Sequence, residues 1–194
     1  LMKEKNIRRL PVMERERLAG IITLSDLNKA APSQATTLSI FELNYLLAKT
    51  KVKDVFSPEQ ELHTVSPEDY IEVAAKLMLD QQVSGLPVVD DSRLVGIITE
   101  TDLFRALIDI LGVQRPHTRI DALIADGPGG LAGITGIMAA RGINIINTVM
   151  YYEPALNKYK IQLRIEELDY EPVVEELKAN NYEIESVIAS PEND

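Results

Sequence analysis

A gapless internal repeat constrains the fold of this chain more than any other feature of its sequence. Residues 6–30 and residues 82–106 align at a constant offset of 76, and 12 of the aligned pairs are identical. A repeat of this kind predicts two copies of one supersecondary unit, each of which needs its partner to complete a hydrophobic core.

Each copy predicts a β-hairpin followed by a helix. The first strand is carried by Leu-Pro-Val, charged residues make the turn, and Leu-x-Gly-Ile-Ile-Thr forms the second strand. We expect Ser25 and Thr101 to cap the two helices, with Asp26 and Asp102 in the first helical position, where a carboxylate complements the positive helix N-terminus.

The second copy also shows what precedes the hairpin. His63 to Val65 predict a strand, and Ser66 with Pro67 predicts a helix start. Subtracting the offset places Leu1 and Met2 opposite Leu77 and Met78. The first copy is therefore expected to lack its opening strand and most of its first helix.

A linker and a joining helix are predicted between the copies. Residues 31–37 are rich in Pro, Ser and Thr, and the capping box Ser39 to Glu42 predicts a helix that continues through Leu43, Leu46 and Leu47. A helix lying on a membrane surface is the alternative, and it is disfavoured because no basic cluster flanks this segment.

The motif that occurs in both copies, hydrophobic-Pro-Val and then Gly-Ile-Ile-Thr-x-x-Asp, resembles a tandem pair of CBS domains. The resemblance implies a sensor of adenosine-type ligands, AMP, ADP or ATP, with S-adenosylmethionine or NAD also open and no cofactor required. In that family the aspartate of Thr-x-x-Asp typically contacts ribose. The role is carried over to Thr23 with Asp26 and to Thr99 with Asp102.

Phosphate charge calls for cations, and Arg8 and Arg9 precede the first Leu-Pro-Val, where Ser84 and Gly85 stand in the second copy. The resemblance implies that each site joins the aspartate of one repeat to the strand of the other. Thr99 and Asp102 would then use Arg8 and Arg9 and prefer charged phosphates, and the other site would combine these residues: Thr23, Asp26, Thr64, Val83 and Ser84. The alternative is that the aspartates only start helices and the arginines are solvated charges.

The second half of the chain predicts a different unit. Strand and helix patterns follow in the order βαββαβ, including a strictly alternating run from Lys158 to Ile165, which indicates a ferredoxin-like sheet with one wet face. The loop that begins at Asp126 and the later Arg141-Gly-Ile-Asn-Ile resemble an ACT domain. The resemblance implies an amino-acid effector in contact with these residues: Asp126, Gly129, Gly130, Leu131 and Asn144. The alternative is a tight strand-to-helix turn without a ligand.

We therefore predict an α/β (α+β) chain with an incomplete first CBS domain and linker helix at 1–50, a second CBS domain at 51–113 and an ACT domain at 118–194. This order resembles the acetoin-utilisation B (AcuB-like) family. The resemblance implies a cytoplasmic, non-enzymatic, homodimeric regulator linked to acetoin and carbon-energy metabolism, with an unidentified partner enzyme.

Composition restricts the other function classes. The net charge of −10 argues against partners such as nucleic acid or an anionic membrane, and the absence of cysteine excludes disulfides and thiolate metal sites. His63 and His117 have no neighbours at metal-ligand spacing, and no motif of a known catalytic class occurs. An enzyme of unrecognised type and a ligand-free dimerisation module stay open as alternatives.

Overall fold

Both copies of the repeat fold into a hairpin followed by a helix in the computed structural model, which describes residues 1–31, 39–56 and 61–191. The chain divides into two compact units, Leu1–Leu103 and Phe104–Asp194, which are described separately below. The elements of the first unit, the last of which continues into the second, are β1 (Arg9–Glu14), β2 (Arg17–Thr23), α1 (Leu24–Ala30), α2 (Ile40–Lys49), α3 (Val52–Val55), α4 (Ile71–Asp80), β3 (Gly85–Asp90), β4 (Arg93–Thr99) and α5 (Glu100–Leu111).

The two hairpins have matching registers. Arg9 pairs with Thr23 in the first hairpin and Gly85 pairs with Thr99 in the second. Each hairpin also has a register shift one residue after its Pro-Val pair, between Val12 and Met13 and between Val88 and Val89. The sequence repeat is thus a structural repeat down to its bulges.

The core of the first unit lies under the second hairpin. Its fully buried residues come from α4, β3 and the segment before α4, and they are Val65, Ala74, Met78 and Leu86. Met2 and Ile22, the counterparts of Met78 and Ile98, are buried in the first copy. Apolar burial of this kind is the main stabilising contribution in a unit of this size.

Three helix starts differ from the prediction. The residues before α1 and α5 are Thr23 and Thr99 rather than Ser25 and Thr101, so each aspartate is the third helical residue, still in the first turn, instead of the first. The helix predicted at Pro67 begins only at Ile71, because Ser66 and Asp69 close a turn on each other: the Ser66 amide donates to the Asp69 carboxylate at 2.7 Å. Of the strand predicted at His63 to Val65, a single bridge from Val65 to Val88 forms.

The joining helix is confirmed at its start, where the Ser39 amide and hydroxyl both donate to the Glu42 carboxylate, at 2.9 and 2.7 Å. These bonds lower the pKa of Glu42. Most of the predicted linker, residues 32–38, lies outside the described residues, as do the side chains of Leu43, Leu46 and Leu47.

The second unit has the predicted βαββαβ order. Its remaining elements are β5 (His117–Ala125), α6 (Gly130–Ala140), β6 (Ile145–Glu153), β7 (Lys158–Ile165), α7 (Glu171–Ala179) and β8 (Glu183–Ser190). They form one antiparallel sheet in the order β6-β7-β5-β8. Ile120, Leu163 and Leu177 are among the fully buried residues between this sheet and the two helices.

The bounds of β5 include His117, one residue before the predicted start of the second domain at 118. His117 is buried, and its Nδ1 donates to the carbonyl of Arg115 at 2.7 Å. The helix before it ends as predicted at Gly112, which adopts the left-handed conformation at φ 65° that favours glycine.

Candidate functional site

The Thr-x-x-Asp motif of each repeat closes the N-terminus of a helix. In the first repeat the Thr23 amide and hydroxyl donate to Oδ2 of Asp26 at 2.8 and 2.7 Å, and the Asp26 amide donates back to Thr23 Oγ1 at 3.3 Å. In the second repeat the Thr99 amide and hydroxyl donate to Oδ2 of Asp102 at 2.9 and 2.6 Å. Both aspartates therefore have a capping role whatever else they contact.

This geometry limits how either aspartate could hold a sugar. In both repeats the two threonine bonds go to Oδ2, so a ribose hydroxyl would donate to a carboxylate that already accepts from threonine. Asp26 and Asp102 are each half-buried.

The first helical amides are already used within the protein. The Leu24 amide donates to the Arg8 carbonyl at 2.8 Å, and the Glu100 amide donates to the Ser84 carbonyl at 3.3 Å. The first amide of each helix is therefore not available to a phosphate. A phosphate at either helix start depends more strongly on side-chain cations.

Arg9 supplies such a cation, and it crosses from the first repeat to the second. Its Nη2 donates to Oγ of Ser84 at 2.6 Å, and its guanidinium lies against Gly85. Burial lowers the pKa of Arg9, the negative charge of Glu100 raises it, and the adjacent Arg8 lowers it again. The guanidinium stays protonated at any physiological pH, and Arg8 beside it is exposed.

A small cavity of about 30 Å³ joins the two repeats, and it has room for about one water molecule. The first repeat contributes Gly20 and Ile21 to its lining, and the second repeat contributes Glu61, Leu62, His63, Val83, Gly85 and Leu86. Val83 is the predicted site residue that lines it, and Ser84 and Thr64 are chain neighbours of lining residues. A nucleoside could enter only if the walls of this cavity separate.

Sequence reasoning missed two residues of this region. Glu100 is the acid that interacts with Arg9, and Gly85 makes room for the guanidinium. The signal was present in the alignment of the copies, since the position of Arg9 is occupied by Gly85 and that of Glu100 by Leu24.

The predicted effector loop of the second unit is solvent-exposed. Asp126 follows β5, Gly129 has φ 97° at the N-cap of α6, and Gly130 begins that helix with Leu131 after it. Asn144 directly precedes β6, and its carbonyl accepts from the Glu166 amide at 3.1 Å. A side chain added at Gly127 or Gly129 would meet no atom within 4 Å, so the loop has open space around it.

The sheet of the second unit carries a charged cluster made of Arg119, Asp121, Ser186 and Arg164. Arg119 Nε and Nη2 donate to the two oxygens of Asp121 at 2.9 and 2.8 Å, and Ser186 donates to Oδ2 at 2.7 Å. Burial raises the pKa of Asp121, but these bonds and the charges of Arg119 and Arg164 outweigh it, so the pKa is lowered overall. Asp121 is held as a carboxylate by this cluster.

The described residues form neither a metal-binding cluster nor a membrane-spanning helix. Within residues 1–31, 39–56 and 61–191, no group of three or more histidine, aspartate or glutamate side chains could hold a metal ion. No helix in the same ranges is long and apolar enough to cross a membrane.

Comparison with known proteins identifies the repeat. The family model described as "CBS domain" matches residues 1–33 and 52–109. The CBS domain-containing protein DDB_G0289609 of Dictyostelium discoideum is 36% identical over 121 residues, which are 60% of this chain and 81% of that protein. The mitochondrial CBS domain-containing protein CBSX3 of Arabidopsis thaliana is 31% identical over 110 residues, 55% of this chain and 49% of that protein.

Several other relatives are much longer than the segment they share with this chain. Inosine-5'-monophosphate dehydrogenase of Thermoplasma acidophilum is 52% identical over 44 residues, which are 9% of that enzyme. The matched part of the chain spans about half or less of the length of CBSX3, of CBSX2 and of this dehydrogenase.

Two solved structures resemble part of the chain. CBSX2, solved in complex with AMP, has a TM-score of 0.42 and 31% identity, covering 59% of this chain and 78% of that one. An acetoin utilization protein (AcuB) from Vibrio cholerae has a TM-score of 0.45 and 27% identity, covering 58% of this chain and 76% of that one.

Proposed function

The chain belongs to the CBS-domain family, and on that premise we propose that it is a regulatory sensor that binds adenosine-type nucleotides between its two repeats. The observation that carries the proposal is the crossing of Arg9 from the first repeat to Ser84 and Gly85 of the second. Gly85 pairs with Thr99, so a cation from one repeat lies beside the helix start that carries Thr99 and Asp102 in the other.

Each part of an adenosine nucleotide has a complementary group in this region. The Asp102 carboxylate suits the ribose hydroxyls, Arg9 suits a phosphate, and apolar residues such as Val83 and Leu62 suit the base. The Thr23 and Asp26 site would use Val83, Ser84 and Thr64 in the same way, without an arginine from the opposite strand. Because the cavity is small, ligand entry would separate its walls, and this movement is what a sensor transmits.

Calorimetry with adenosine, AMP, ADP, ATP and S-adenosylmethionine tests the proposal. We expect binding by the wild-type chain and a loss of at least tenfold in Asp102→Asn, because an amide cannot accept from two hydroxyls as a carboxylate does. The amide oxygen can still accept from Thr99, so the melting temperature should stay within a few degrees of wild type. Asp90→Asn, on the same hairpin, is the matched control, and the proposal fails if none of the five compounds binds.

The second unit is proposed to bind a second effector, an amino acid. Its sheet order and its open glycine loop agree with an ACT-type module, and the proposed contacts of an amino-acid effector are Asp126, Asn144 and the amides of Gly129 to Leu131. A thermal-shift screen of the twenty amino acids tests this part, with Asp126→Asn expected to abolish the shift and Asp169→Asn to preserve it. If no amino acid raises the melting temperature, the unit has no such role.

A homodimer is part of the same proposal. Several apolar side chains on the helices are exposed, including Leu79 at 79% on α4 and Phe104 at 64% on α5. Surfaces of this composition favour association with a second copy. Sedimentation should show a dimer that Leu79→Lys or Phe104→Lys weakens, and a monomer at high concentration would contradict it. A link to acetoin metabolism would require a partner enzyme whose activity changes when the loaded dimer is added.

A further inference from the structure

We infer that Glu100 sets the charge preference of the site at Thr99 and Asp102, so that this site accepts adenosine derivatives with few phosphate charges and disfavours the triphosphate. The inference rests on the proposed function and reverses the expectation that this site prefers charged phosphates. It gives a role in ligand selectivity to Glu100, which is neither the threonine nor the aspartate of the Thr-x-x-Asp motif.

Glu100 and Arg9 are both anchored on Ser84. The Glu100 amide donates to the Ser84 carbonyl at 3.3 Å, and Arg9 Nη2 donates to the Ser84 hydroxyl at 2.6 Å. The backbone of Glu100 and the side chain of Arg9 therefore meet at one residue at the start of α5. Arg9 is half-buried and Glu100 is exposed, and the negative charge of Glu100 acts on the Arg9 guanidinium.

A phosphate at this place has to share Arg9 with Glu100. The first amide of α5 is already bonded, so it adds no donor, and Arg8, the neighbour of Arg9 in the chain, is exposed. Glu61 adds a second negative charge to the region, since it lines the same cavity as Gly85. Each further phosphate charge therefore meets acids that a single half-buried arginine does not offset.

The first repeat lacks this arrangement, which makes the two sites unequal. Leu24 stands where Glu100 stands in the second repeat, and Gly85 stands where Arg9 stands in the first. The first-repeat site thus lacks the acid at its first helical residue, and the strand residue of the other repeat that corresponds to Arg9 is a glycine.

Glu100→Gln tests the inference, with adenosine, AMP and ATP as probes and calorimetry at low and at physiological ionic strength. We expect the variant to bind ATP about tenfold more tightly than wild type, to bind AMP severalfold more tightly and to leave adenosine unchanged. The gain should shrink as salt is added, because it is electrostatic.

Two further variants test whether the effect of Glu100→Gln comes from the net charge of the protein or from the position of the acid at the helix start. Glu16→Gln removes one negative charge in the turn of the first hairpin, between β1 and β2, and should leave the ranking of the three ligands unchanged. Leu24→Glu places an acid at the equivalent position of the first repeat and should weaken ATP binding there. An equal effect of Glu100→Gln on all three ligands, or no effect on any, overturns the inference while the proposed function stands. If wild type binds none of the three, both fail.

Discussion

The guanidinium of Arg9 lies against Gly85, the residue that occupies the same position as Arg9 in the other repeat. A Cβ on Gly85 would come within 2.9 Å of the guanidinium carbon and closer still to Nη1. The large residue of one copy thus fills the space that the other copy leaves empty. The two repeats therefore differ at this position in a complementary way, with arginine in one and glycine in the other.

Gly85→Ala should displace Arg9 rather than unfold the unit. The clashing atoms are the far end of a flexible side chain, so we expect the free energy of unfolding to fall by no more than about 1 kcal/mol. Arg9 should lose its bond to Ser84, and nucleotide affinity should fall with it. Urea denaturation and calorimetry measure the two effects.

The double variant Arg9→Ala with Gly85→Ala provides the control, because removing the guanidinium removes the clash. The two changes should be non-additive in stability, with a coupling of about 1 kcal/mol. Strict additivity would show that Arg9 does not rest on Gly85 in solution.

Gly20 and Gly96 are equivalent in sequence and should respond differently to alanine. A Cβ on Gly20 would meet the Phe56 ring, with Cζ at 2.6 Å, whereas a Cβ on Gly96 meets its first neighbour, Val88 Cβ, at 3.9 Å. Gly20→Ala should therefore destabilise the unit by about 2 kcal/mol through overpacking. Gly96→Ala should be neutral or stabilising by about 0.5 kcal/mol, because alanine restricts the unfolded chain.

Equal destabilisation by both substitutions would contradict this prediction. Gly20→Ala combined with Phe56→Leu identifies the cause, since the smaller side chain should recover part of the lost stability if the ring is the obstacle.

Local patterns in this sequence predicted local structure well. The hairpins follow from the repeat, and the βαββαβ order follows from the alternation between Lys158 and Ile165. The capping residues did not follow in the same way, because each helix start offers two candidates two positions apart, Thr23 or Ser25 and Thr99 or Thr101. The choice depends on the bond from the Leu24 amide to the Arg8 carbonyl, which joins the helix to the other strand of its hairpin.

The candidate site was less accessible to sequence reasoning. Asp26 and Asp102 could be chosen from the motif, but their bonding to threonine through Oδ2 depends on where each helix begins. Arg9 and Glu100 come near each other because the two repeats face each other. The two residues are 91 positions apart, and no local sequence pattern relates residues at that separation. Aligning the copies and asking where they differ would have indicated both residues.

Asp121 predicts an acid sensitivity of the second unit. Its folded-state pKa lies below the ordinary value of 3.8, so its contribution to stability is present above about pH 4 and is lost as the pH falls through the folded value. Asp121→Asn should lower the free energy of unfolding by about 1 kcal/mol at pH 7, since the bonds from Arg119 and Ser186 lose a charged acceptor. The difference from wild type should narrow at pH 3, below the ordinary value of 3.8, because there the unfolded chain binds the proton more readily than the folded chain does.

Chemical denaturation of both proteins at pH 7, 5 and 3 checks this prediction. Asp169→Asn, at an exposed aspartate of the same unit, should change stability little at any of these pH values. A difference for Asp121→Asn that is constant with pH would mean that the charge of Asp121 does not contribute.

Two glycines inside α6 separate helix propensity from packing. A Cβ on Gly136 would meet nothing within 4 Å, whereas a Cβ on Gly133 would collide with the Tyr182 hydroxyl, which bonds to the Gly130 carbonyl at 3.3 Å. Gly136→Ala should stabilise the unit by about 1 kcal/mol, the usual gain for alanine over glycine in a helix. Gly133→Ala should gain less or lose stability, because Tyr182 has to give up its bond to make room. Thermal denaturation of Gly133→Ala in a Tyr182→Phe background identifies the cause. Removal of the hydroxyl should restore the increase in stability that Gly136→Ala shows. If Gly133→Ala stays less stable than Gly136→Ala in that background, the Tyr182 hydroxyl is not the obstacle.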